Sequence, residues 1–328
     1  MNVLVTGAAG FVGVHFAHFM LKERPEEQLF GVVRPGAPRN RVPQGVKIVD
    51  VDLERPQDVV ALLDRVRPDR VVHLAAQSSP VASWEDPAGT LRTNVLCLLN
   101  LLEAIRRLKI SPRVLVVGSA EEYGMVDPED LPLDETAPLR PTTPYAVSKV
   151  AQGFLALQYS LSLGMGIIRT RTFHHTGPGR GASFAESAFA RQIVDVERGT
   201  RAPVLDVGNL EAVRDFSDAR DVVRAYWALL EHGVPGDVYN VCSGRGIAIR
   251  GVLERLIALS GVSVEVRLDT SRLRKADVPV LIGSPAKLRA ATLWEPRLSL
   301  DQSLRDLLEY WRERALPETP KRYKPSPA

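Results

Sequence analysis

The feature that most constrains the fold is a glycine-rich segment close to the N-terminus. The run from Asn2 to Val5 is typical of a short apolar strand, and three glycines at three-residue spacing precede an apolar helical run to Lys22. Such glycines allow a tight turn, close approach of a pyrophosphate to the backbone, and close packing of the helix on the strand. The helix N-terminus adds free N–H groups for phosphate oxygens. The segment therefore predicts a dinucleotide-binding turn, with cofactor contacts from Gly7, Gly10, Phe11, Val12 and Gly13.

Strands and helices alternate through the first half of the chain. Apolar runs at residues 29–33, 46–49, 70–76, 114–118 and 167–172 predict further strands, and the run at 237–243 is predicted to rejoin their sheet. This alternation is typical of a parallel, doubly wound sheet with helices on both faces. We therefore predict an α/β fold, a Rossmann sheet with a smaller C-terminal substrate-binding domain. The predicted division gives the cofactor domain residues 1–172 and about 213–243, the substrate domain about 173–212 and 244–316, and a mobile tail 317–328.

The residue after the second strand bears on cofactor choice. NAD-specific sites usually carry an acid there, which holds the ribose 2′-hydroxyl. This chain has Arg34 instead, with Arg39 and Arg41 nearby. Because a guanidinium suits a 2′-phosphate, the sequence favours NADP(H). The alternative is that Arg34 is an ordinary solvated arginine.

A tyrosine and a lysine stand four residues apart, at Tyr145 and Lys149. Pro141 and Pro144 predict a helix start just before them, so the two side chains would share one helix face. An ammonium near a phenol favours the phenolate and predicts a Tyr145 pKa lowered by roughly 1–3 units. Ser119 ends the predicted strand at 114–118 and brings a hydroxyl to the same sheet edge. The pair therefore indicates acid–base chemistry; an exposed pair without a function is the alternative.

Together these features resemble the extended short-chain dehydrogenase/reductase family, whose catalytic pair is Tyr-x-x-x-Lys. The resemblance implies that the Ser119 hydroxyl binds the reacting carbonyl oxygen and that Asn94 braces the catalytic helix. It implies additional cofactor contacts from Asp52, Leu53, Leu74, Ala75, Ala76, Asn94, Tyr145 and Lys149.

Longer stretches narrow the resemblance to one branch of the family. They are Glu121-Glu-Tyr-Gly124 and residues 171–179, 208–216, 238–243 and 274–283. These stretches are similar to enzymes that act on GDP-mannose and its 4-keto-6-deoxy product. The similarity is greatest to the GDP-6-deoxy-4-keto-mannose reductases, and the GDP-mannose 4,6-dehydratases share most of the same motifs. The resemblance implies substrate contacts from His174, Arg191, Asn209, Arg214, Arg274 and Asp277, with His174 replacing the asparagine usual in the family.

Glu121 is compatible with two reactions, dehydration and C4 reduction. The dehydratases use a glutamate at this position for elimination across C5–C6, but Ala120 replaces the polar residue that precedes it in those enzymes. We predict NADPH-dependent reduction of the C4 ketone of GDP-4-keto-6-deoxy-D-mannose to GDP-D-rhamnose, with Ser119, Tyr145, Lys149 and Glu121 as the catalytic candidates. The alternatives are a GDP-mannose 4,6-dehydratase, another nucleotide-sugar epimerase or dehydratase, and a non-catalytic NADP-sensing protein on the same fold.

Composition argues against several other classes. A net charge of +3 without a basic block does not favour binding to nucleic acid or to a membrane surface, and no apolar run approaches the ~20 residues of a membrane span. Cys97 and Cys242 lie in apolar runs and are predicted to be free thiols of a reducing compartment. Met1 leads directly into the first predicted strand, so we expect no signal peptide and a cytoplasmic protein. No metal-ligand spacing is present. The resemblance further implies a homodimer formed through helices around Thr90–Leu108 and Val150–Leu163.

Overall fold

The computed structural model describes residues 1–273 and 278–314. The strands, numbered in chain order, are β1 (Asn2–Thr6), β2 (Gln28–Val33), β3 (Lys47–Asp50), β4 (Arg70–His73), β5 (Arg113–Ser119), β6 (Ile167–Thr172), β7 (His174–Thr176), β8 (Val204–Val207), β9 (Val213–Asp218), β10 (Val238–Val241), β11 (Gly246–Ala248), β12 (Glu265–Leu268) and β13 (Val280–Leu281). The helices are α1 (Phe11–Glu23), α2 (Pro56–Val66), α3 (Pro80–Glu85), α4 (Pro87–Leu91), α5 (Cys97–Leu108), α6 (Pro144–Leu163), α7 (Ala185–Glu197), α8 (Ala219–His232), α9 (Ile249–Ser260), α10 (Ala286–Thr292) and α11 (Leu300–Glu313). A π-helical turn (Arg92–Leu96) joins α4 to α5, and 3₁₀ turns occur at Ala120–Glu122, Pro128–Asp130 and Thr270–Arg272.

Seven strands form the large sheet, in the order β10-β6-β5-β4-β1-β2-β3. Every neighbouring pair is parallel. One face is covered by α1 and α8, and the other by α2, α5 and α6. Because both faces are buried, the central strands are almost continuously apolar, as in Val3–Val5 and Val114–Val116. The predicted doubly wound α/β fold is confirmed, and β10 rejoins the sheet beside β6 as expected.

A second, smaller unit is built on β9. This strand pairs with β7, β11 and β13, and β8 pairs separately with β12. Its core lies between α7, α9 and α11, where Ile193, Leu253 and Leu307 are fully or almost fully buried. We call the two parts the large-sheet unit and the small-sheet unit.

The division between the units differs from the predicted one. β9 belongs to the small sheet, so only α8 and β10 of the segment 213–243 belong to the large-sheet unit. Leu288 and Trp294, predicted within the substrate domain, pack in the core of the large-sheet unit, whereas α11 packs on the small-sheet unit. The chain therefore passes between the units after β6, after β9, after β10, after β13 and before α11. The predicted tail, 317–328, lies outside the described residues.

Candidate active site

A cavity of about 1430 Å³ lies at the carboxyl edge of the large sheet. Its walls come from residues that follow β1, β2, β4 and β5 and from residues of the small-sheet unit. This is the edge at which open α/β sheets bind their ligands. The predicted cofactor residues Gly7, Gly10, Phe11, Val12, Gly13, Arg34, Asp52, Leu53, Leu74, Ala75 and Ala76 all line the cavity.

The glycine-rich turn after β1 is packed most tightly at Gly7 and Gly13. Gly7 has a positive φ of 71°, and a Cβ there would lie 3.0 Å from the Ala75 nitrogen. A Cβ on Gly13 would lie 2.3 Å from the Gly7 carbonyl oxygen, far inside normal contact distance. Gly10 is the N-cap of α1, so the first N–H groups of that helix lie at the cavity. The turn therefore has the close backbone approach that a pyrophosphate needs.

The segment after β4 forms the opposite wall of this part of the cavity. The predicted strand reached Ala76, but β4 ends at His73 and the next residues leave the sheet. The Thr6 hydroxyl oxygen accepts hydrogen bonds from the backbone nitrogens of Leu74 and Ala75, both at 3.1 Å. This fully buried threonine thus joins the ends of β1 and β4 beneath the cavity.

The arginines after β2 are not equivalent. Arg39 forms an ion pair with Asp50 at 2.6 Å, and Arg41 donates a hydrogen bond to the Gly179 carbonyl oxygen at 2.8 Å. Arg34 and Arg41 both line the cavity, and Arg34 is exposed at the end of β2. Arg34 therefore lies where the sequence predicted a cation for a 2′-phosphate.

Asn94 braces the active-site helix and is completely buried. Its side-chain nitrogen donates to the Ser148 hydroxyl at 2.8 Å and to the Gln77 carbonyl at 3.0 Å, and its oxygen accepts from the Gln77 nitrogen at 2.7 Å. These bonds connect the segment after β4 to α6. They support the predicted bracing role, but not the predicted direct contact with the cofactor.

The three predicted catalytic groups meet at one wall of the cavity. Ser119 ends β5, while Tyr145 and Lys149 lie on the first two turns of α6, which the Thr143 hydroxyl caps by accepting from the Ala146 nitrogen at 3.0 Å. The Ser119 hydroxyl is close enough to the Tyr145 phenol to act on the pKa of that phenol. The Lys149 ammonium donates to the Val117 carbonyl oxygen and to the Gln152 side-chain oxygen, both at 2.8 Å.

Burial decides the ionisation of these groups. It raises the pKa of Tyr145 to about 12, opposed by the Ser119 hydroxyl and by the charge of Arg180. It lowers the pKa of Lys149 to about 8, opposed by the charge of Glu122. The predicted lowering of the Tyr145 pKa by Lys149 is wrong, because the ammonium is directed at Val117 and Gln152 and desolvation of the phenolate outweighs nearby positive charge. Tyr145 is therefore a phenol at neutral pH.

Glu121 and Glu122 follow Ser119 in a 3₁₀ turn and face opposite ways. Glu121 lines the cavity, where its carboxylate lies 4.0 Å from the His174 Nε2 atom. Glu122 is buried in the protein interior, with 4% of its surface exposed. Only Glu121 is thus in position to contact a substrate directly.

The residues predicted to bind the sugar nucleotide do not all lie at the cavity. His174, Asn209 and Arg214 line the cavity, and Arg214 is buried on β9. Arg191 is on the exposed face of α7, where it pairs with Asp195 at 3.8 Å, so its position does not support the predicted substrate contact. Arg274 and Asp277 lie outside the described residues.

His175 and Arg180 were not among the predicted site residues, yet both line the cavity. The His175 ring stacks on Phe11 at 6.0 Å with an interplanar angle of 4°, and burial lowers its pKa to about 3, so the ring is neutral. The Arg180 guanidinium lies 3.4 Å above the Phe184 ring and 3.4 Å from the Glu186 carboxylate. His175 lies in a motif used to recognise the family; Arg180 carries no sequence signal of its own.

Residues 1–273 and 278–314 contain no group of three or more His, Cys, Asp and Glu side chains arranged to hold a metal ion. None of the described helices combines the length and apolarity of a bilayer crossing.

Curated proteins with related sequences include a reductase and several dehydratases. The chain is 37% identical to the GDP-6-deoxy-D-mannose reductase of Pseudomonas aeruginosa over 97% of its own length and 99% of that protein. It is 28% identical to a GDP-mannose 4,6-dehydratase of Vibrio cholerae, over 94% of this chain and 92% of that one.

Solved structures show the same relationship. The structure of RMD from Pseudomonas aeruginosa complexed with NADPH matches with a TM-score of 0.85 and 36% identity, over 96% of this chain and 99% of that one. A UDP-glucose 4-epimerase from Thermus thermophilus, in complex with NAD, also has a TM-score of 0.85, with 30% identity over 96% of this chain and 100% of that one. The family model described as GDP-mannose 4,6 dehydratase matches residues 4–307. The chain therefore belongs to the GDP-mannose 4,6-dehydratase family.

Proposed function

We propose that the protein reduces the C4 ketone of GDP-4-keto-6-deoxy-D-mannose with NADPH, giving GDP-D-rhamnose. The observation that carries this proposal is the meeting of Ser119, Tyr145 and Lys149 at one wall of the cavity. A tyrosine that holds its proton beside a serine hydroxyl is suited to protonate the oxygen of a ketone as it is reduced. Similarity to the Pseudomonas aeruginosa reductase over nearly the whole chain agrees with this direction of reaction.

The residues present fit NADPH. Gly7, Gly10 and Gly13 leave backbone without side chains at three points of the turn, which allows the close approach that a pyrophosphate requires. Arg34 at the end of β2 is proposed to bind the 2′-phosphate, and Lys149 the nicotinamide ribose. The bound cofactor would supply the hydride.

The catalytic residues then act on the C4 oxygen. Tyr145 donates its proton to that oxygen, and the Ser119 hydroxyl holds it by a hydrogen bond as negative charge develops. The positive charge of Arg180, which opposes the rise of the Tyr145 pKa, favours the resulting tyrosinate. Arg214 and His174 face the cavity from the small-sheet unit and are proposed to bind the diphosphate end of the substrate.

The test supplies GDP-4-keto-6-deoxy-D-mannose and NADPH to the purified protein. The expected result is loss of reduced-nicotinamide absorbance with equimolar formation of GDP-rhamnose, identified by NMR. Conversion of GDP-mannose to the 4-keto sugar without net cofactor consumption, together with no NADPH oxidation in the first assay, would overturn the proposal.

A dehydratase is the second candidate, and the position of Glu121 at the cavity beside His174 favours it. Glu121→Gln separates the two reactions, because elimination needs an additional acid–base group whereas C4 reduction uses Tyr145, Ser119 and Lys149. The variant should lose any conversion of GDP-mannose and keep most of its NADPH-dependent reduction. Tyr145→Phe is the matched control, since it removes the group that both reactions share.

We further propose that the protein is a cytoplasmic homodimer. Val147, Phe154 and Leu161 recur every seven residues on α6 and are 45%, 55% and 73% exposed, so they form an apolar stripe on the helix predicted to dimerise. Such a stripe suits packing against a second copy. Light scattering should give twice the monomer mass, and Phe154→Glu should shift the protein to the monomer; a monomeric parent protein would contradict this proposal. The two buried, free cysteines suit a reducing compartment.

A further inference from the structure

Glu122 is a buried acid directly behind the catalytic wall. One carboxylate oxygen accepts a hydrogen bond from the Ser119 backbone nitrogen at 2.8 Å, and the other lies 3.3 Å from the Arg171 guanidinium. The Ser119 hydroxyl oxygen accepts from the Glu121 nitrogen at 3.2 Å, and Ser119 and Glu122 also form a reciprocal capping box. The main chain of Ser119 is therefore fixed by a side chain that does not reach the cavity.

The space around this carboxylate is closely filled. A Cβ on Gly118 would lie 2.3 Å from the nearer Glu122 oxygen, so the glycine makes room for it. Arg171 is itself held, because it donates to the Tyr123 hydroxyl at 3.1 Å and to the Glu135 carbonyl at 3.0 Å. The Glu122 carboxylate therefore has a single, defined position between β6 and α6.

Glu122 also faces the charged groups of the active site from inside the protein. Its carboxylate interacts electrostatically with two cations on β6, Arg169 and Arg171, and with Lys149 and Tyr145 on α6. Burial raises the pKa of Glu122 to about 7, opposed by the Ser119 nitrogen, Arg171 and Lys149. Within residues 1–273 and 278–314, Glu122 is the acid whose charge supports the ammonium of Lys149.

We propose that Glu122 is a positioning residue for the active site: held by Arg171, it fixes the backbone of Ser119 and places a buried carboxylate between β6 and α6, behind the catalytic wall. This role rests on the proposed function of Ser119 and Lys149. The two adjacent glutamates would then have different roles. Glu121 faces the substrate, and Glu122 holds the groups that act on the substrate. No bond is made or broken at Glu122.

Two variants of Glu122 separate its hold on Ser119 from the effect of its charge. Glu122→Gln keeps an oxygen that can accept from the Ser119 nitrogen but removes the charge. We expect the alkaline fall of kcat/KM to move to lower pH by about one unit, since an opposite charge has been lost near Lys149, with kcat below that fall changed little. Glu122→Asp keeps the charge but is too short to hold Ser119, so kcat should fall roughly 10- to 100-fold with the alkaline limb unmoved.

Glu135→Gln is the matched control. Its side chain accepts from the Asn240 nitrogen in the same buried polar region, but it contacts neither Ser119 nor Lys149. It should leave kcat and the pH profile unchanged. The proposal is overturned if both Glu122 variants, shown to be folded by thermal unfolding, behave like Glu135→Gln. If Glu122→Gln does not fold, Glu122→Asp alone decides, and an unchanged kcat refutes the positioning role.

NADPH binding provides a readout that does not depend on turnover. Affinity, followed by nicotinamide fluorescence, should fall as pH rises through the pKa of Lys149, and at lower pH in Glu122→Gln than in the parent protein. If the parent protein does not reduce the keto sugar, the proposed reaction fails while this titration still tests Glu122. An identical pH dependence of NADPH affinity in parent and variant would refute the charge effect.

Discussion

Gly13→Ala should damage both stability and cofactor binding, because the structure leaves no space for the added methyl group. The new Cβ would lie 2.3 Å from the Gly7 carbonyl oxygen and 2.8 Å from the Ala8 Cα. Both neighbours are backbone atoms that cannot rotate away, so α1 has to move from β1 by roughly 1 Å. Overpacking of this kind costs about 1–3 kcal/mol, and the better helix propensity of alanine offsets less than about 1 kcal/mol of it.

Gly153→Ala is the matched control, with the same chemical change and the opposite expected sign. Gly153 lies inside α6, and an added Cβ would meet only the Glu122 carboxylate, at an ordinary contact distance of 3.8 Å. Replacing glycine by alanine in a helix interior should stabilise the protein by about 0.5–1 kcal/mol.

Thermal unfolding and NADPH titration together provide the assay. With about 2.1 cal/mol/K of unfolding entropy per residue, a chain of this length changes its melting temperature by roughly 1.5 °C per kcal/mol. Gly13→Ala should therefore melt about 1–4 °C below the parent and Gly153→Ala about 1 °C above it. The first should also bind NADPH more weakly, because the N-terminus of α1 has moved from the pyrophosphate. A Gly13→Ala protein that melts with the control and binds NADPH normally would refute the argument from close packing.

Further predictions concern the catalytic and cofactor-selecting side chains. Tyr145→Phe should bind NADPH and the GDP-sugar almost normally but lose about 10²–10⁴-fold in kcat; substantial turnover would mean that another group supplies the proton. Arg34→Ala should weaken NADPH by about 1.5–3 kcal/mol while leaving NADH nearly unchanged, and equal losses in fluorescence titrations would contradict the 2′-phosphate assignment. A lysine loses its positive charge as pH rises through its pKa, so kcat/KM should fall above pH about 8, by about tenfold per unit, as Lys149 deprotonates; a rate that stays constant to pH 10 would show that its charge is not needed.

The local elements of the site could be predicted because short-range spacing determines them. The glycines after β1 fix the turn, and the prolines ahead of Tyr145 fix the start of α6, so Tyr145 and Lys149 share a face. Ser119 follows an apolar strand, and the ends of parallel strands meet at one edge. These relations depend on neighbours in the chain and needed no knowledge of tertiary packing.

The features of the site that the sequence did not predict depend on contacts between distant segments. Which of two adjacent glutamates faces the cavity is set by a 3₁₀ turn and by Arg171, which lies 49 residues beyond Glu122. The raised pKa of Tyr145 comes from burial under several elements, whereas the sequence showed only the lysine one turn away. Arg180 reaches the cavity through packing on Phe184 and Glu186, and nothing in the sequence distinguishes it from other arginines.

The repeated passage of the chain between the two units limits how such an enzyme can be rebuilt. At the first passage, Phe173 alone separates β6 of one sheet from β7 of the other, and its side chain is buried. Grafting the small-sheet unit from a relative would require matched junctions there, near residue 219, between 242 and 245, and on both sides of α10. The small-sheet unit therefore cannot be replaced as one continuous segment of the chain. A laboratory seeking a different sugar nucleotide should randomise cavity positions such as His174 and Asn209 in place, and should leave the scaffold intact.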